Sequence, residues 1–166
     1  QALALSHGAE LYSNVFGILR QELDSMVRVI FLLSLSDSAR RNSFIDDAVN
    51  GRIWRNTTKG RITDHEMIEL ADKLHGWSRT VYRFGCAFIH LSSLHDYRER
   101  DPLDGFSQEE RTDLLQYLRY YHGGPASGVP TFQDIVCYLP SVFEKVAGNL
   151  ECYLNQLELG EQLESE

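Results

Sequence analysis

The spacing of apolar residues along the chain predicts helices separated by short polar breaks. Between Leu11 and Leu35, apolar residues recur every three or four positions over about five turns, which is the period of a helix with one buried face. The same period returns further along the chain, and the strict alternation of apolar and polar residues that is typical of strands is weak throughout. The pattern therefore predicts an all-α fold, a single bundle of five to six helices.

Capping residues mark several helix boundaries. Thr63 with Glu66, and Ser107 with Glu110, have the spacing of a capping box, in which the first side chain and the backbone three residues later exchange hydrogen bonds. Helices are therefore expected to begin at both places. Pro140 leaves open whether the last element is one kinked helix or two.

Two segments break the periodic pattern. The irregular, polar stretch from Gly51 to Gly60 predicts a surface loop, with Trp54 as its one bulky anchor. Glycines and prolines crowd residues 123–130, which predicts a flexible connector, with a lid as the alternative. The helical domain is expected to span residues 1–160 and to be followed by a frayed, acidic tail at residues 161–166.

The amino-acid composition mainly argues against certain classes of function. The chain has 166 residues, enough for one domain, and its net charge of −8 argues against broad binding to nucleic acid or to anionic membranes. RNA is therefore expected at a local site only, and no membrane association is expected. The three cysteines show no CxxC spacing, which favours reduced thiols and a cytoplasmic protein. No phosphate-binding or dinucleotide-binding glycine motif is present, so no cofactor is expected.

The stretch from Trp77 to Gly105 carries the candidate chemistry. Projected at 100° per residue, its helix is apolar around almost the whole circumference except for one polar stripe. The residues of this stripe are Arg79, Arg83, Cys86, His90 and Tyr97. Charged groups on an otherwise apolar helix need either polar partners inside the protein or a functional role. Two interpretations stay open, a functional site and a buried polar network.

Arg83 and His90 are the candidate catalytic residues. They are seven positions apart, two helical turns, so both lie on one face and together suit phosphate binding and proton transfer. The segment Arg83-FGCAFI-His90 resembles the Arg-x(4 to 6)-His motif of HEPN domains, which are small helical bundles. The resemblance implies a metal-independent endoribonuclease of the prokaryotic defence or toxin type, acting as a homodimer. In that case Arg83 would hold the phosphate and His90 would act in cleavage through the 2′-hydroxyl.

A second class of function competes with the nuclease. Phe84 follows Arg83, where nuclease members of the HEPN family usually carry a polar residue, and the acidic net charge also disfavours RNA. Both observations favour a non-catalytic helical module that binds a protein partner or a small ligand.

Five further residues form a second tier of candidate binding residues. They are Arg79, Tyr97, His95, Asp96 and His122. His90, His95 and Asp96 are a conceivable set of metal ligands, but His90 and His95 are about 140° apart around the helix, so no metal site is expected. His122 precedes two glycines, where a side chain can contact a phosphate or cap the helix end.

Overall fold

The computed structural model describes residues 12–56, 60–89 and 101–163 and confirms an all-α fold. Its elements in chain order are α1 (Tyr12–Leu33), α2 (Ser38–Val49), β1 (Arg55–Asn56), β2 (Gly60–Arg61), α3 (Asp64–His75), α4 (Ser78–Ile89), a 3₁₀ turn (Pro102–Gly105), α5 (Gln108–His122), α6 (Phe132–Val136) and α7 (Leu139–Glu158). Within these ranges six helices have twelve residues or more, and α6 is a short seventh.

Helix α1 forms the centre of the bundle and packs against α3, α4 and α7. Its apolar residues repeat at intervals of three and four, so they line one side of the helix and are almost completely buried. Burial of each such side chain stabilises the fold by about 1.5 to 3 kcal/mol. Phe16 contacts Phe132 of α6 with 6.0 Å between ring centroids, which joins α1 and α6 in one core.

Both predicted capping boxes are present. The Thr63 and Ser107 side chains accept hydrogen bonds from the backbone N–H groups of Glu66 and Glu110, at 3.3 and 3.2 Å. Gly76 has a φ of 64°, a left-handed conformation that glycine adopts without strain. It therefore ends α3 and separates α3 from α4.

The predicted last element, which contains Pro140, consists of two separate helices, α6 and α7. The chain turns at Cys137 and Tyr138 between α6 and α7, and Pro140 lies in the first turn of α7, where no backbone donor is needed. The Leu163 N–H donates to the Leu33 carbonyl at 3.0 Å, which connects residue 163 to the end of α1. The frayed, acidic tail expected at residues 161–166 stays a prediction. Residues 164–166 lie outside the described ranges.

The polar segment after α2 contains a short antiparallel hairpin that sequence analysis missed. Arg55 lies opposite Arg61, and Asn56 lies opposite Gly60. Strands of two residues are too short to show an alternating pattern. The predicted anchor is present, because Trp54 is 5% exposed and its Nε1–H donates to the Phe44 carbonyl at 2.8 Å.

Candidate functional site

A groove of about 840 Å³ lies between α5 and the junction of α3 with α4. We call it the α4–α5 groove. Its lining residues are Asp72, Gly76, Trp77, Arg79, Thr80, Asp113, Gln116, Tyr117, Arg119, Tyr120 and Tyr121. The α5 residues at positions 113, 116, 117 and 120 are spaced at i, i+3, i+4 and i+7, so one face of the helix forms one wall.

Aromatic side chains form the base of the groove. Trp77 stacks on Tyr117 at 5.9 Å between ring centroids, and both are almost fully buried. Tyr121 contacts Tyr117 at 5.3 Å, and Tyr120 meets Tyr121 edge to face at 4.6 Å. Tyr120 is 81% exposed, so its ring stands free at the groove edge and is available to a partner.

The two arginines of the polar stripe face solvent and are paired with carboxylates. Arg79 Nη2 donates to Glu69 Oε2 at 2.7 Å, and its Nε lies 3.4 Å from Asp72 Oδ2. Arg83 Nη2 donates to Glu110 Oε1 at 3.0 Å, and the Arg83 side chain is 59% exposed. The buried-network interpretation of the stripe is therefore wrong for Arg79 and Arg83.

Glu110 belongs both to a helix cap and to the Arg83 ion pair. Its pKa is lowered mainly by hydrogen bonds from the Ser107 backbone and hydroxyl and also by the charge of Arg83. The carboxyl group is therefore ionised at neutral pH and neutralises the guanidinium. A phosphate bound by Arg83 would have to compete with Glu110.

Asp113 differs from the other charged residues of the groove. It is exposed, and among the described residues it has no hydrogen bond or ion pair. Arg119 instead donates to the carbonyls of Pro125 and Ser127, at 3.2 and 2.8 Å. The Asp113 carboxylate is thus free to bind a ligand without first breaking an internal contact.

His122 is used within the fold and is not among the residues that line the groove. Its Nε2 lies 3.1 Å from the Tyr117 hydroxyl, and burial, helped by nearby Lys145, lowers the pKa of His122 below its ordinary value. The imidazole is therefore neutral at pH 7. Lys145 lies 3.6 Å from the centroid of the Tyr121 ring, and burial lowers the pKa of Lys145 too. The helix itself ends at Gly123, with a φ of 72°.

The remaining predicted site residues lie outside the described part of the chain. These residues are His90, His95, Asp96 and Tyr97. Cys86 belongs to α4, but its side chain is not described. The pairing of Arg83 with His90 therefore stays a prediction.

Of the predicted binding residues, Arg79 lines the groove, but sequence reasoning missed Asp113 and Tyr120. Asp113 and Tyr120 lie on one exposed face of α5, seven positions apart. The available signal was the pair of adjacent tyrosines at positions 120 and 121. Burial of one face of the helix does not explain two neighbouring aromatic residues.

Two general features of the described residues bear on function. No three His, Cys, Asp or Glu side chains in these ranges are grouped so that they could hold a metal ion. No described helix combines the length and apolar character needed to cross a membrane.

Comparison with known protein families, with characterised proteins and with solved structures gives no match to this chain.

Proposed function

We propose that this chain is a non-catalytic helical binding module whose α4–α5 groove takes a basic segment of a partner protein. One observation carries the proposal: the exposed ring of Tyr120 lies on the same face of α5 as the Asp113 carboxylate, which has no partner in the described part of the chain. An aromatic face binds a guanidinium or ammonium group through its quadrupole, and a carboxylate binds one through charge. Because Asp113 and Tyr120 are two helical turns apart, they suit two basic side chains of one segment.

Shape and charge favour a protein partner over a small ligand. Pockets for small molecules bury most of the ligand surface, whereas this groove is open along α5 and leaves Tyr120 largely exposed. The net charge of −8 attracts a basic partner and speeds encounter with it. Tyrosine is also enriched among the residues that dominate the affinity of protein interfaces.

Tyr120→Ala is expected to weaken binding of basic peptides about tenfold, because removal of a cation–π contact or an interface tyrosine costs on the order of 1 to 2 kcal/mol. Asp113→Asn should weaken it similarly. The measurement is fluorescence anisotropy with labelled nine-residue peptides that contain none, one, two or three arginines among glycine and serine.

Val129→Ala is the matched control, because Val129 is also exposed but lies outside the groove. It should leave the peptide affinity unchanged. If wild-type protein and Tyr120→Ala bind every peptide equally, or if affinity does not rise with the number of arginines, the groove is not a site for basic segments.

A metal-independent endoribonuclease is the second candidate function. The observation that favours it is the exposure of Arg83, whose described carboxylate partner, Glu110, lies on the surface and can be replaced by a phosphate. Arg83 lines a small depression that shares Arg79, Thr80 and Asp113 with the α4–α5 groove. A bound RNA strand could therefore extend from Arg83 towards the groove aromatics, on which bases can stack.

His90→Ala is expected to lower RNA cleavage by about 10²- to 10⁴-fold in the nuclease case, the usual loss for a missing acid or base. Arg83→Ala should also reduce cleavage while keeping the free energy of unfolding within about 1 kcal/mol, because its ion pair is exposed. The assay is incubation of varied RNAs in a chelator, followed by gel analysis. Intact RNA with wild-type protein would remove this candidate and leave the binding module.

A further inference from the structure

The short hairpin displays two arginines side by side. Arg55 and Arg61 are cross-strand neighbours in the antiparallel pair, and both are exposed. Side chains directly opposite each other in such a pair point to the same face, with Cβ atoms about 5 Å apart. Within the described residues neither arginine has a hydrogen bond or an ion pair. The two guanidinium groups therefore share one solvent-facing surface.

The hairpin is held firmly by the residues next to these arginines. Trp54 and Ile62 are buried, the Ile62 N–H donates to the Trp54 carbonyl at 3.0 Å, and Trp54 stacks against Phe31 at 5.8 Å. Because side chains alternate across a strand, burial of Trp54 and Ile62 directs Arg55 and Arg61 outward. The arginine pair is thus positioned by the core.

Like charges directly opposite each other destabilise a strand pair, so the arrangement is unfavourable for the fold alone. The positive charge of the hairpin segment is also opposite in sign to the net charge of the whole chain. Residues 51–61 contain four basic and no acidic residues, although the chain as a whole carries −8. Arg52 is the exception within this segment, because it is neutralised by Asp46 and Asp47 of α2. An external anion would relieve the repulsion between Arg55 and Arg61.

We infer that Arg55 and Arg61 bind the phosphodiester backbone of a nucleic acid. Arginine presents a planar fork of donors that matches phosphate oxygens, and two adjacent forks suit neighbouring phosphates on one strand. A membrane surface fits less well, because the bulky Trp54 and Ile62 are turned into the core. Within the described residues 52–56 and 60–62, Ile53 is the one exposed large apolar side chain available for insertion. The inference does not rest on the function proposed for the α4–α5 groove.

The test compares wild-type protein with the double variant Arg55→Ala/Arg61→Ala. Fluorescence anisotropy measures binding of labelled single-stranded RNA and DNA of the same sequence, with salt varied from about 50 to 200 mM. Two lost phosphate contacts should reduce the slope of log affinity against log salt by about 1.4, and we expect an affinity loss of about tenfold at the lowest salt. Equal loss on both polymers assigns the contact to the shared backbone, and loss on RNA alone assigns it to RNA.

Charge-matched and conservative variants make the test specific. Lys73→Ala/Arg111→Ala removes two charges elsewhere and should keep the affinity near that of wild type. Arg55→Lys/Arg61→Lys keeps both charges but loses the forked donors, so the salt slope should stay near that of wild type while part of the affinity is lost. Val129→Ala, whose side chain is exposed outside both sites, should leave oligonucleotide binding intact. The hairpin is tested with oligonucleotides and the groove with peptides, so failure at one site and failure at the other are distinguishable. The inference is overturned if wild type binds neither polymer, if both double alanine variants lose affinity equally, or if phosphatidylserine vesicles are bound in place of the oligonucleotides.

Discussion

Gly124→Ala is expected to lower the free energy of unfolding by about 3 kcal/mol. Gly124 has a φ of 35°, and a Cβ added there would lie 2.6 Å from Arg119 Cα and 2.7 Å from Arg119 N. Those atoms belong to the backbone of α5 and cannot rotate away. The loss combines the strain of a side chain in the left-handed region, about 1 to 2 kcal/mol, with overpacking of about 1 to 3 kcal/mol.

Gly123→Ala is the matched control. Gly123 has a φ of 72°, but a Cβ there would meet no atom within 4 Å, so only the conformational strain applies. We expect a loss of about 1 kcal/mol. Urea denaturation monitored by circular dichroism measures both variants, and equal losses would show that the close approach to Arg119 is unimportant.

Hydrogen bonds from neighbouring helices favour a fixed connector over a lid at residues 123–130. The Gly124 N–H donates to the Leu118 carbonyl at 3.0 Å, and the Tyr138 hydroxyl donates to the Gly124 carbonyl at 2.5 Å. Arg119 holds the carbonyls of Pro125 and Ser127. These bonds join the segment to both α5 and the start of α7.

Arg41→Ala is the second large effect, with an expected loss of about 3 kcal/mol. Arg41 is 7% exposed, its Nη1 donates to the Glu161 carbonyl at 2.8 Å, and its Nη2 donates to the Leu35 carbonyl at 3.0 Å. A hydrogen bond from a charged group contributes about 1.5 to 3 kcal/mol, and removal of the donor leaves both carbonyls without it. The variant should therefore lose the connection between α2, the end of α1 and the C-terminal segment.

Arg40→Ala tests whether this loss is specific to the buried guanidinium. Arg40 neighbours Arg41 but lies over the Phe44 ring at 5.5 Å, a contact worth about 1 kcal/mol or less at a half-exposed position. Thermal unfolding should show a much smaller shift of the midpoint than Arg41→Ala. A comparable shift would mean that the bonds from Arg41 to Glu161 and Leu35 contribute little.

The elements that could be predicted from the sequence depend on residues close together in the chain. The capping boxes at Thr63 and Ser107 each need a partner three positions away, and the apolar period of α1 repeats within one turn. Such local rules gave the all-α fold class and several helix starts. They missed the hairpin, which is held in place by the burial of Trp54 and Ile62 against other elements.

The tertiary structure decided which way the polar stripe faces and where the groove lies. Trp77, just before α4, and Val81 within α4 are buried, so Arg79 and Arg83 face solvent. The periodicity of α4 alone does not determine which side of the helix is buried. The partner of Arg83 is Glu110, 27 positions further on, and the α4–α5 groove exists because residues 72–80 pack beside residues 113–121. The sequence by itself determines the period and the caps, because these are local; the exposure and the partners of each charge depend on packing between distant segments.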